Sequence, residues 1–317
     1  MTNRNALEKE AFAQIVSKSS APSAVGGELT PAVRMVRFVV AGLVLGSILI
    51  GVWEAAGGPM RGRAAFVNGL FLTQIALAGV LILLGSIVEG FGYGLSLGTR
   101  WPYTRNIIAL MIQGDPEAAH RVVATLVGLI AVALVILDRG SATLNGLVLV
   151  VFTALLGIGT LHVLSGRIPS FVHGTHGLLA YGVFLAYLAG YLFHGMPFWP
   201  YLGAMWALHP LLLTVFLGGM TTGQRGFGTP IGAFFKPEGP AHWMVVAHIL
   251  SALSLVAILG FLMPAFPLAF YLSVAQVAVG FLLFHAVNLK PKNPGLIVVF
   301  HQCMVLSMTV AVVAGLR

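Results

Sequence analysis

The sequence is dominated by a succession of apolar runs, each long enough to cross a lipid bilayer as an α-helix. Such a crossing needs about 20 mostly apolar residues. Because the runs are continuous rather than alternating, they favour helices over the strands of a membrane barrel. The sequence therefore predicts an all-α integral membrane protein in contact with the lipid bilayer. Nine stretches of the 317-residue chain qualify, at about residues 36–56, 65–90, 120–137, 144–165, 174–196, 198–219, 242–263, 266–289 and 295–316.

Composition and charge agree with a membrane protein and narrow the classes of function. Charged residues make up only 8% of the chain, against about 25% in soluble domains. The formal net charge is +8, but the basic residues occur singly and without interleaved aromatic residues. We therefore expect them to flank the membrane rather than to bind nucleic acid. Cys303 is the only cysteine, which excludes an internal disulfide and a CxxC metal site.

The chain divides into a tail, an added helix and two similar halves. Residues 1–33 are polar and predict a mobile tail, and residues 34–64 predict an extra N-terminal transmembrane helix. Residues 65–197 and 198–317 each predict a bundle of four helices. Two long loops, at about 90–119 and 219–241, each precede a helix that begins with histidine, which favours a functional role for them.

Histidines and their neighbours recur between the two halves, which predicts an internal duplication of the kind common in membrane proteins. Three pairs of histidines are separated by similar distances in the sequence. One pair begins corresponding helices, one pair follows a glycine by five residues (Gly157 and Gly280), and one pair follows a proline by seven. The pairs are His120 with His248, His162 with His285, and His176 with His301, separated by 128, 123 and 125 residues respectively.

Ionisable residues within membrane spans are costly and are functional candidates. Antiparallel counting of the helices places four histidines at similar depth near one side of the bilayer, on alternate helices. Two imidazoles that face each other from neighbouring helices can bind heme, and bundle interiors commonly hold such cofactors. The predicted ligand pairs are His120 with His176 and His248 with His301.

The remaining histidines are open to several interpretations. His162 and His285 can contact the cofactor or substrate as well as ligate a metal. His173 and His242 fit the membrane interface, His209 fits packing, and His194 falls at the opposite face. An alternative is that all the paired histidines are interfacial residues that bond to loop carbonyls. Zinc or copper ligation is a rival, although compact clusters of several ligands are more typical of those metals.

Two segments resemble a known family. Glu117-Ala-Ala-His120-Arg121 is similar to the Glu-x-x-His-Arg motif of heme A synthases. Upstream, the segment from Gly85 through Gly92-Tyr93-Gly94-Leu95-Ser96, followed by Trp101-Pro102, resembles the glycine-rich segment of that family. The similarity covers about residues 65–316.

The resemblance implies an oxidoreductase that binds heme b and converts heme O to heme A by oxidising a methyl group. By position, His120 and His176 would face the heme O substrate, and His248 and His301 would ligate heme b. Glu117 would be the catalytic carboxylate. The three-residue spacing of Glu117 and His120 places both on one helix face. The alternative for Glu117 is a helix N-terminal carboxylate that the helix dipole favours.

Arg121 adjoins this motif, and its guanidinium suits a bidentate bond to a heme propionate. The family resemblance also implies a prokaryotic-type inner membrane and the outer side for the heme face. The positive-inside rule favours the opposite orientation, because most basic residues collect on the histidine-rich side.

Departures from the family pattern motivate a second hypothesis. Glu89 stands where the family has arginine, Phe91 where it has threonine and Tyr93 where it has serine. Ile249 follows His248 in place of arginine. The alternative function is a non-catalytic, heme-b-binding subunit for electron transfer or structural support of a respiratory membrane complex. Its partners would be respiratory or heme-biosynthesis proteins. A transporter is a third class, indicated only by the repeats and the glycine content.

Overall fold

A computed structural model describes residues 31–57, 62–99, 106–193, 200, 202–203, 206, 208–232 and 236–315. These residues form ten α-helices and no strand. The predicted tail over residues 1–33 lies outside the described residues except for its last three, which already belong to the first helix. In chain order the helices are α1 Pro31–Gly57, α2 Arg63–Gly90, α3 Ile107–Gln113, α4 Pro116–Asp138, α5 Ser141–Leu164, α6 Phe171–Leu192, α7 Leu208–Arg225, α8 Pro240–Phe261, α9 Pro267–Leu289 and α10 Leu296–Ala314.

Eight helices in the described part of the chain are long and apolar enough to cross a membrane. The predicted all-α membrane architecture is therefore supported, but a count of nine spans is not. The difference lies at the predicted span 198–219. There α7 begins at Leu208 and continues to Arg225, so its C-terminal turns include Thr221, Thr222 and Arg225. Residues 194–199, which include His194, lie outside the described residues.

The first of the two predicted long loops contains an additional short helix. Asn106 caps the start of α3 by accepting a hydrogen bond from the backbone of Ala109, and Gly114 ends the helix at φ 103°. Asp115 then caps α4 by accepting a bond from Ala118 N. Because proline is favoured at the first helical position, Pro116 fixes where α4 starts. This start places His120 in the second turn of α4.

The helices of the two halves pack in matching pairs. Within the first half α2 packs on α4 and α5 on α6; within the second, α7 packs on α8 and α9 on α10. The contacts between the halves also match, since α6 packs on α7 and α10 packs on α2. In these contacts α2, α4, α5 and α6 correspond to α7, α8, α9 and α10, in the order that the predicted duplication requires.

The added helix α1 lies outside this repeat and packs mainly along α2. Two glycines bring the helices into close contact: a β-carbon at Gly69 would lie 2.4 Å from the carbonyl oxygen of Gly51. Small residues allow such close approach between membrane helices. Most of the remaining surface of α1 is apolar and exposed, including Phe38 and Trp53.

Candidate functional site

Each of the four predicted ligand histidines lies against a glycine of a neighbouring helix. A β-carbon added at Gly157 of α5 would lie 3.2 Å from Cε1 of His176 on α6. One at Gly218 of α7 would lie 3.2 Å from Cε1 of His248 on α8. The same contact recurs in the other two helix pairs. Gly85 of α2 stands 3.5 Å from His120 of α4, and Gly280 of α9 stands 3.7 Å from His301 of α10, measured in the same way.

A backbone carbonyl four residues before the glycine fixes the ring in two of these contacts. Nδ1 of His176 donates to the carbonyl of Thr153 over 3.0 Å, and Nδ1 of His248 donates to the carbonyl of Thr214 over 2.9 Å. A carbonyl can only accept, so the ring proton is on Nδ1. The Nε2 atom of each ring therefore keeps its lone pair, as a metal-ligating imidazole requires.

The other two histidines vary this arrangement. His120 lies close to the carbonyl of Leu81, four residues before Gly85, but the geometry at Nδ1 falls short of a full hydrogen bond. His301 meets a side chain instead of a carbonyl: the Nε2 amide of Gln276, four residues before Gly280, lies 3.0 Å from Nδ1 of His301. The four histidines thus contact their glycines in the same register, but the hydrogen bonding at Nδ1 differs among them.

The structure brings His248 and His301 together. Their rings have centroids 6.3 Å apart and planes inclined by 52°. His120 and His176 lie on α4 and α6, the corresponding helices of the first half. All four residues keep part of their surface accessible. The second half therefore presents two imidazoles to each other from alternate helices.

Glu117 is buried at the start of α4 and is held by several donors. Its carboxylate accepts from Oγ of Ser96 at 2.9 Å and from the backbone of Leu97 at 3.0 Å. It also forms an ion pair with Arg121, one turn further along the helix. Ser96 Oγ lies 3.2 Å from Asp115 Oδ1 as well. The carboxylate therefore joins the glycine-rich segment after α2 to the helix that carries His120.

Tyr93 of the same segment is buried beside these carboxylates. Burial, and secondarily the charge of Asp115, raise the pKa of the Tyr93 hydroxyl. The phenol is therefore neutral over the physiological range. Trp101 and Pro102, which extend the motif, lie outside the described residues.

Glu89, near the end of α2, contacts the second half of the chain. Its Oε1 accepts from Oγ1 of Thr222 at 2.8 Å and lies 3.9 Å from Nη2 of Arg225. Arg225 is only 4% exposed, and its Nη1 donates to the carbonyls of Thr229 and Pro291. Glu89 thus forms part of a polar contact between α2 and the end of α7.

The other two candidate histidines each lie five residues after a glycine that contacts a histidine of the pairs. His285 is exposed, and its ring stands edge-on to Phe281 at 4.4 Å. It follows Gly280 by five residues, which turns it away from the face of α9 that meets His301. His162 occupies the corresponding place five residues after Gly157, in the last turn of α5, and is partly exposed.

Three further histidines lie elsewhere in the bundle. His242 is 2% exposed near the start of α8. His173 lies on the side of α6 that faces α7. A β-carbon added at Gly223 of α7 would lie 3.0 Å from the β-carbon of His173. His209 contacts the carbonyl of Leu202 through Nε2 at 3.0 Å. The described residues hold no group of three or more His, Cys, Asp or Glu side chains suited to a metal ion.

The glycine contacts and the role of Gln276 are not evident from the sequence. The recurrence of Gly157 and Gly280 was visible in the sequence, but it pointed to the histidines five residues later on the same helix. The structure shows that these glycines face His176 and His301 on the next helix. Sequence spacing alone does not reveal which residue lies across a helix interface.

Comparisons with protein-family models, with curated proteins and with solved structures found no match.

Proposed function

We propose that this chain is a membrane heme protein that ligates heme b between His248 and His301. The observation that supports the proposal is the separation of 6.3 Å between the two ring centroids. A metal–imidazole bond is about 2.0–2.1 Å long, and the nitrogen lies roughly 1.1 Å from the ring centre. Two such bonds on opposite sides of one metal therefore place the ring centres roughly 6 Å apart.

The hydrogen bond at His248 supports ligation independently of the distance. Because Nδ1 donates to the carbonyl of Thr214, Nε2 is the unprotonated nitrogen. A carbonyl acceptor also makes the imidazole a stronger ligand and holds its orientation. A histidine that served only as an interfacial hydrogen-bond donor would not require a partner histidine at this distance.

For the first half, we propose that His120 and His176 receive heme O and that the chain oxidises its methyl group to form heme A. His176 has the same bond to a carbonyl and the same glycine contact as His248. Arg121 adjoins His120 and would bind a propionate of the substrate, and Glu117 would be the catalytic carboxylate. Written with water as the oxygen source, the oxidation of the methyl to a formyl group releases four protons and four electrons, so it also needs an external electron acceptor, to which bound heme would pass the electrons one at a time.

A pyridine hemochrome spectrum of the purified protein tests the heme b site. Wild type should contain heme, and His248→Ala should lose the heme of the second half. His285→Ala is the matched control, because this exposed ring lies away from the pair, and its heme content should equal that of wild type. Equal heme content in wild type and His248→Ala would overturn the ligand assignment.

The alternative function is a non-catalytic subunit that holds heme b for electron transfer or for support of a respiratory complex. The contacts of Glu117 favour it, since Arg121, Ser96 and Leu97 together occupy its carboxylate. The two functions differ in a direct assay. Expression with heme O, followed by extraction and mass spectrometry, should yield heme A if the chain is a synthase. Bound heme b without conversion would support the subunit, which should also co-purify with partner proteins in mild detergent.

A further inference from the structure

The contact at His301 differs from the other three in a way that bears on ligation. At His176 and His248 the acceptor is a main-chain carbonyl, which can only accept. At His301 the neighbouring group is the side-chain amide of Gln276, which can either donate or accept. This position is four residues before Gly280, as Thr153 is four residues before Gly157.

The amide of Gln276 is oriented as a donor in the structure. Its Nε2 lies 3.0 Å from Nδ1 of His301 and also donates to the carbonyl of His301 at 3.1 Å. Nδ1 therefore accepts, and the ring proton is on Nε2. That tautomer lacks the free lone pair that a metal needs. The Oε1 atom of Gln276 is buried and has no hydrogen-bond partner among the described residues.

Turning the amide over exchanges these two roles at Nδ1 and gives up the bond from Nε2 to the carbonyl of His301. Oε1 would then accept from Nδ1–H, and Nε2 of His301 would be free to ligate. The two orientations of one amide thus correspond to the two tautomers of one imidazole. Amide orientation and histidine tautomer follow each other through the hydrogen bond between them.

We propose that Gln276 is a positioning residue that selects the tautomer of His301 and so sets the strength of this histidine as a heme ligand. The inference rests on the proposed heme b site. It makes the two ligands of that heme unequal: His248 is fixed as a ligand by the backbone, whereas His301 requires the amide to turn. A substitution at Gln276 can therefore change how strongly His301 binds the heme iron.

The test measures the midpoint potential of the heme in the second half, which is the heme that His248→Ala should remove. Gln276→Glu places a permanent acceptor at Nδ1–H, which strengthens the imidazole as a ligand, favours ferric iron and should lower the potential. Gln276→Leu removes the acceptor and should raise it. A tenfold change in the ratio of ferric to ferrous affinity corresponds to about 59 mV for one electron, and we expect shifts of roughly this size in opposite directions.

Ser273→Ala is the control on the same helix. The hydroxyl of Ser273 donates to the carbonyl of Phe270, three residues earlier, and bonds to neither histidine of the pair. The midpoint potential should therefore equal that of wild type in this variant. Unchanged potentials in both Gln276 variants, or shifts in the same direction, would overturn the role of Gln276. A wild-type protein that binds no heme would instead overturn the proposed function, and this inference with it.

Discussion

At Gly218 the backbone of α7 comes into contact with the ring of His248. A β-carbon there would stand 3.2 Å from Cε1 and 3.4 Å from Nδ1 of the imidazole. The absence of a side chain at this position is what lets Nδ1 reach the carbonyl of Thr214 on the preceding turn. The glycine therefore contributes to the site by allowing the approach, without any chemistry of its own.

Gly218→Ala should therefore weaken heme binding. The added methyl group displaces the His248 ring by a few tenths of an ångström and strains its bond to the carbonyl. Loss of a partner that orients a ligand typically costs 10- to 100-fold in affinity, and we expect about tenfold faster loss of heme to an acceptor protein. Gly128→Ala is the control, because no atom lies within 4 Å of its β-carbon position. Equal heme retention in the two variants would contradict the role of Gly218.

Glu117 is the residue whose catalytic and structural roles most need to be separated. Glu117→Gln removes the charge that Arg121 and the Ser96 hydroxyl meet. Hydrogen bonds to charged groups contribute about 1.5–3 kcal/mol each, so we expect a loss of about 2 kcal/mol in unfolding free energy. Thermal unfolding in detergent measures this loss. If conversion of heme O stops while the unfolding temperature stays unchanged, Glu117 acts in catalysis instead.

Among the elements, α1 lies outside the repeat and meets α2 at a close contact between two glycines. A β-carbon at Gly51 would lie 2.5 Å from the carbonyl of Gly69 and 1.9 Å from Oγ1 of Thr73. The first of these atoms belongs to the backbone and cannot move aside. The paired histidines, in contrast, all lie on other helices. We infer that α1 can be loosened without disturbing the candidate site.

Gly51→Leu should separate α1 from α2 and leave heme content unchanged. The leucine side chain cannot fit between the two backbones, so the helices must move apart. Hydrogen–deuterium exchange over residues 37–57 should become faster than in wild type. Gly42→Leu is the control on the same helix, since its β-carbon position has no neighbour within 4 Å. Loss of heme from Gly51→Leu alone would show that α1 supports the site.

For the whole molecule, the contact between the halves includes a pair of charges, one from each half. Glu89 on α2 and Thr222 on α7 each follow a histidine-facing glycine by four residues, and they hydrogen-bond to each other. Arg225 then lies beside Glu89 and binds the carbonyl of Pro291 between α9 and α10. The glutamate at this position thus has a structural partner supplied by the other half.

Glu89→Ala should destabilise the assembled halves because it leaves Arg225 buried without its counter-charge. Breaking a fully buried pair costs about 3–5 kcal/mol. Glu89 keeps 23% of its side chain exposed, so we expect the substitution to lower the free energy of unfolding by about 2 kcal/mol. Thermal unfolding measures this loss. The double variant Glu89→Ala/Arg225→Met should regain part of this loss, because the unpaired charge is removed as well. A double variant less stable than either single variant would contradict the pairing.

Much of the architecture follows from the sequence because it depends on local properties. The starts and ends of α2, α8 and α9 fall within a few residues of the predicted spans, since length and apolarity in lipid leave a helix as the only solution. The short helix α3 was not predicted, as seven residues between two turns carry too weak a pattern. The late start of α7 also escaped prediction, because apolar residues precede it.

The sequence by itself determined that this chain forms membrane helices and that histidines recur in corresponding places of two halves. Both properties reside in the order of residues along one helix at a time. Only the tertiary structure decided which glycine faces each histidine, that Gln276 takes the place of a carbonyl at His301, and that Glu89 meets Arg225. Those contacts join residues 19 or more positions apart, and the packing angle and register between helices, which fix them, are not encoded in any single span.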